Sequence, residues 1–162
     1  MAKNTIILKN YLNIFEEYVA NAAITPGMLI EVMSTEKVKK HATGGGNVLV
    51  MVAKEDELQG NGIDTNYAAG DVVSCWIPQR GDIGNLLLRD EETIVIGDFL
   101  ESDGEGRVRK HVADMGDSHT GTVQNAIIGI AVDAKDLSTL PEGSDSSAGG
   151  AYYNPRIQVR FI

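Results

Sequence analysis

The chain has 162 residues and a formal net charge of −9 at pH 7. That is enough sequence for one domain with its own core, and the acidic balance argues against broad contact with phosphate backbones or anionic membrane surfaces. Aromatic residues are scarce at 6% and glycines number 18, which favours short strands and tight turns, and a single cysteine excludes an internal disulfide.

Residues 1–23 read as an N-terminal arm. No secretion signal is expected there, since Ile6-Ile7-Leu8 is too short a run and Asn10 ends it. Tyr11, Leu12, Phe15, Tyr18, Val19 and Ala22 fit a helical stripe. Asn10, Asn13 and Asn21 are poor helix formers, and an internal repeat sets Phe15–Tyr18 opposite the strand-like Asn85–Leu88. Helix and strand both stay open.

From residue 24 the sequence repeats itself. "ITPGMLIEVMSTEKVKKHA" (24–42) lies without a gap over "IVIGDFLESDGEGRVRKHV" (94–112). Eight further residues bring "NVLVMVA" (47–53) over "NAIIGIA" (125–131), and six more bring "VSCWI" over 157–161. The continuous apolar runs suit strands buried on both faces. Gly27 and Gly97 mark matching turns, with Pro26 presetting φ in the first copy. The last pair alternates, which assigns Val73, Cys75 and Ile77, and their counterparts Ile157, Val159 and Phe161, to a core face. Trp76 then points outward and needs a cover, beside the place that Arg160 holds in the other half.

The expected fold is all-β: a small, internally duplicated β-barrel of the β-tulip or β-clip kind over 24–162, with halves 24–78 and 94–162. Duplicated strand units pack on each other because neither buries its apolar face alone. Two segments fall outside the repeat. The polar loop 54–70 is too long for a simple turn, and the Ser/Gly-rich 137–154 is expected to be mobile or ordered by a neighbour.

No catalytic or metal constellation is legible, so no enzyme activity, cofactor or metal is expected. His41 and His111 end matching strands and read as scaffold; a metal held by both would revive a hydrolase. His119, in "GDSHTG", has Asp117 and Ser118 as neighbours, but consecutive residues cannot converge as a triad must. Cys75 reads as a buried hydrophobe, and the acidic clusters lack EF-hand spacing. "GGG" at 44–46 lacks the Lys-Ser/Thr of a phosphate loop. The strips Lys37/Lys39/Lys40 and Arg107/Arg109/Lys110 suit either an acidic partner or hairpins balanced by nearby carboxylates. A carbohydrate-binding module would show exposed aromatics, with Tyr152-Tyr153 the place to look.

The motifs A-I-T-P-G-x-L (23–29), K-V-K-K-H-A (37–42), G-N-G-I-D-T-N-Y-A-A-G-D (60–71) and W-I-P-Q-R-G-D (76–82), together with "IGDFLESDGEGRVRKHVAD", "AIIGIAVDA" and "NPRIQVRFI", resemble in this order the capsid cement, or head decoration, proteins of tailed bacteriophages. The resemblance spans roughly residues 20–162. It implies a β-barrel-like virion protein made in the bacterial host cytoplasm, sitting on the outer surface of the expanded capsid and stabilising it. It implies as partners the major capsid protein lattice and further copies of itself, trimer favoured over dimer, with no nucleic acid, membrane or cofactor. The alternative is another structural virion β-barrel, such as a tail-tube or head–tail joining protein. The expected contact residues are Ile6, Leu8, Tyr11, Leu12, Phe15 and Tyr18 in the arm, with Trp76 and Arg80 at the rim. Deleting 1–19 is expected to abolish capsid binding and leave the rest folded.

Overall fold

The structure, a computed structural model, describes residues 4–46, 49–113, 125–139 and 155–162. These form β1 (Ile7–Lys9), β2 (Phe15–Ala20), β3 (Ile30–Val32), β4 (Lys37–Lys40), β5 (Val52–Ala53), β6 (Val72–Trp76), β7 (Ile83–Leu87), β8 (Thr93–Ile94), β9 (Phe99–Ser102), β10 (Val108–Lys110), β11 (Ile127–Ala131), β12 (Lys135–Asp136) and β13 (Arg156–Phe161). A single 3-10 turn covers Glu57–Gln59, and there is no α-helix among the described residues. The protein is all-β. His119, Tyr152-Tyr153 and most of the 137–154 insertion lie outside the described residues.

One sheet runs β3-β4-β2-β6-β5 and the other β1-β7-β13-β11-β9-β10, with β12 and β8 as a separate pair. The repeat of the sequence is written into the pairing. Glu31 faces Lys39 on β3 and β4, and Glu101 faces Arg109 on β9 and β10. Val52 faces Trp76, and Ile130 faces Arg160. Val19 faces Val72, and Leu87 faces Arg156. Even the isolated bridge Leu29–Val52 has its match in the pair Phe99–Ile130. The turn glycines repeat too, Gly27 at φ 91° and Gly97 at φ 94°, a left-handed backbone that side chains resist.

The sheets do not close into a barrel. A single bridge, Leu29–Val52, brings the end strands of the first sheet together, and in the second sheet Leu88–Val108 links the chain just after β7, which lies next to the edge strand β1, to β10. Strands of two to six residues are too short to carry full ladders round both ends. Each half nevertheless wraps its own core. Ala20, Ile24, Ile30, Val38, Ala53, Val73 and Cys75 fill the first. Their counterparts Leu88, Ile94, Leu100, Val108, Ala131, Ile157 and Val159 fill the second.

The segment expected to be an arm is built into both sheets. β1 pairs antiparallel with β7 of the second half. β2 lies in the middle of the first sheet, antiparallel to β6 and parallel to β4. It is an ordinary member of the repeat, with Phe15 standing where Ile83 stands, two residues from the register read off the sequence. The helical stripe was only apparent: Tyr18 and Ala20 turn inward while Phe15, Glu17 and Val19 turn outward, the period of a strand.

The expectation that Trp76 is exposed is overturned: its exposure is 0%. Alternation on β6 holds, but both faces are covered at this point. Cys75 faces the first core. Trp76 faces the second half, edge-on to Phe161 at 5.5 Å and 88°. A Cβ on Gly84 would stand 2.9 Å from the indole, so only glycine lets the ring seat there. Burying a tryptophan removes roughly 150–250 Å² from water, worth about 4–6 kcal/mol, and much of that holds the halves together.

Candidate interaction surface

The joint between the halves determines what is left outside. Leu87 donates its N–H to the Gly27 carbonyl at 3.1 Å, and Leu29 donates to Gly106 at 2.8 Å. The loop 54–70, too long for a simple turn, serves the joint. It buries Ile63 there, and Arg156 of β13 donates to the Ile63 carbonyl at 2.6 Å and to Asp64 at 2.7 Å. The triple glycine 44–46 serves it as well, with Gly45 N–H bonded to Ser102 O at 2.8 Å.

The two hairpins carry a duplicated ion cluster. Lys39 pairs with Glu31 at 2.9 Å, and Arg109 pairs with Glu101 at 2.7 Å. Glu101 is fully buried and is further held by His111 Nδ1 at 2.7 Å and Asn125 Nδ2 at 3.2 Å. His41 is buried, with Nδ1 2.7 Å from Ser102 Oγ across the joint. Lys40 pairs with Glu105, also across the joint, Arg107 with Asp103 at 2.8 Å and Lys110 with Asp98 at 2.9 Å. Five of the six cations of the basic strips, all but Lys37, are thus paired with carboxylates of the protein itself. Among the described residues no group of three or more His, Cys, Asp or Glu side chains is placed to hold a metal ion.

The sequence-derived contact residues divide. Ile6 is fully buried, its N–H held by the Glu55 carboxylate at 3.2 Å and its carbonyl accepting from Asn85 at 2.8 Å. With Trp76, it belongs to the core and offers nothing to a partner. Leu8 is half-buried on β1. Tyr18 is half-buried too, donating its hydroxyl to Glu16 at 2.7 Å, and that carboxylate raises its pKa.

Tyr11, Leu12 and Phe15 are exposed, Tyr11 at 61%, and Arg80 is exposed beside them. Asp82 brings Tyr11 and the turn of Arg80 together. Its carboxylate accepts from Tyr11 N–H at 2.9 Å and from Gln79 N–H at 2.8 Å, which sets the Tyr11 ring against the turn that carries Arg80. Lys9 Nζ lies 4.8 Å from the centre of that ring. Ile14 and Ile162 add to this apolar end. Sequence reading missed a second exposed apolar group, Val95, Ile96 and Phe99. The repeat was the signal that could have found it, because their counterparts are Thr25, Pro26 and Leu29 of the first half.

The fold has a solved counterpart. The chain is similar to the crystal structure of the head fiber gp8.5 N base in bacteriophage phi29, over 93% of this chain and 95% of that one, at TM-score 0.52 and 10% sequence identity. At that identity the likeness is one of fold. No protein-family model matches the sequence, and no curated protein matches it.

Proposed function

We infer that the chain is a structural protein of a phage head. It binds the outer surface of the expanded capsid, as a homotrimer, and stabilises the shell without catalysing a reaction or holding a cofactor. The observation that carries this reading is the likeness, along nearly the whole of both chains, to the base of a phage head fiber. The ordered motifs that resemble cement proteins point the same way. The apolar end formed by Tyr11, Leu12 and Phe15 with Arg80 is the surface offered to the coat lattice. Stabilisation would be linkage: a ligand that binds only the expanded shell adds about 2.7 kcal/mol per site at a free concentration of 100 Kd, and many copies multiply modest contacts.

The test is co-sedimentation of the purified protein with compact and expanded shells stripped of it. Saturable binding to expanded shells, in fixed ratio to coat protein, is expected. Leu12→Ser together with Tyr11→Ser should weaken that binding at least about tenfold, the effect of losing a central contact, with an unchanged melt. Absence of binding to either shell would sink the reading.

A further inference from the structure

One face of the first half is covered inside the chain, and the same face of the second half is not. In the first half a row runs across the strands from Phe15, exposed at the end of the row, to Trp76, Val52 and Leu29. The second half repeats it as Ile83, Arg160, Ile130 and Phe99. Trp76, Val52 and Leu29 are fully buried because the second half lies over them. Phe99 is 47% exposed and Arg160 is exposed. The flanking residues follow suit: Thr25 and Pro26 are buried, whereas Val95 and Ile96 stand open, Ile96 at 69%.

We propose that a second copy of this chain covers that face, its first half seated on the second half of its neighbour as the two halves sit within one chain. This rests on the self-association in the reading above and names its surface. The argument for a second copy over any other occupant is the matched change on both sides of the repeat. Within the chain, Trp76 seats on Gly84 and Phe161. The counterpart of Trp76 is Arg160, and the counterparts of Gly84 and Phe161 are Glu16 and Ile77. The pairs Glu16–Cys75 and Gly84–Val159 fix the first correspondence. Glu16 is exposed and Ile77 is half-buried. An aromatic ring on a glycine has become a guanidinium facing a carboxylate, with Val95, Ile96 and Phe99 as the apolar surround. Both residues changed in the sense that keeps the contact complementary. Such a contact is heterologous, joining unlike faces, and closes into a ring when its rotation divides the circle.

Sedimentation velocity of the isolated full chain tests this. The wild type should form a closed oligomer. Arg160→Glu and Glu16→Arg should each reduce it to single chains, and the double variant R160E/E16R should restore it, a rescue that a merely structural role would not give. Phe99→Ser, which leaves the charges alone, should weaken association at least about tenfold. Thermal melts matching the wild type would show that folding is intact. A wild type that stays single, or an oligomer that survives both R160E and F99S, overturns the proposal. Association is measured without capsids, so its failure leaves capsid binding standing, and failure of capsid binding leaves self-association standing.

Discussion

Cys75 and Trp76 stand side by side on β6 with their side chains on opposite faces, and both are fully buried. Cys75 is sealed in the first core, where burial pushes its thiol pKa up to about 12, so the native thiol is unreactive at neutral pH. Trp76 closes the joint, and its indole N–H is buried without a hydrogen-bond partner. The ring therefore contributes by packing alone. Trp76→Ala should cost about 3–5 kcal/mol, whereas Trp76→Phe should cost clearly less, because an apolar ring is kept and no hydrogen bond is lost. Urea unfolding gives both values, and the rate of Cys75 alkylation follows opening independently. Equal losses for the two variants would show that the N–H matters more than the packing described here. The alternation of β6 was legible in "VVSCWI", and it placed Cys75 correctly. It could not show that the outward face of one strand is the inward face of a joint.

At the scale of strands, β2 is the middle of its sheet, flanked by β4 and β6. Removing residues 1–19 takes away that strand, β1 and the buried Ile6, and leaves β4 and β6 with unpaired edges facing each other. The truncated chain is expected to be unfolded by circular dichroism and to label freely at Cys75. A folded, monodisperse product would instead support a detachable arm. Much of the strand plan was legible because duplication copies register, and an ungapped match over 24–42 and 94–112 carries the hairpin pairs with it. The place of β2 was not, since its parallel partner β4 lies about twenty residues on and a six-residue segment fits a helical and a strand period about equally well. The exposed face at Phe99 was hidden for a different reason: a repeat tells which residues correspond, not which copy is covered.

For the molecule as a whole, one tie across the joint is a charge pair that fails in acid. Lys40 holds the Glu105 carboxyl below its ordinary value of 4.5, and this pair spans the two halves. The Val95 N–H, followed by Lys110, holds Asp98 below 3.8. A carboxylate with a folded pKa below its unfolded one contributes stability above the unfolded value and loses it as pH falls through the folded one. The thermal midpoint should therefore drop below pH 4.5, and Glu105→Gln should flatten the upper part of that drop; parallel curves for the two proteins would refute the assignment. The way the halves are joined also sets an order of events at birth. β1 belongs to the sheet of the second half and pairs with Ile83 and Gly84. At about 5–20 residues per second, β1 waits roughly 4–15 s for its partner strand to be made. Until then Ile6 has no core to enter, and the nascent chain carries an unpaired strand that any neighbouring copy on the same messenger could capture.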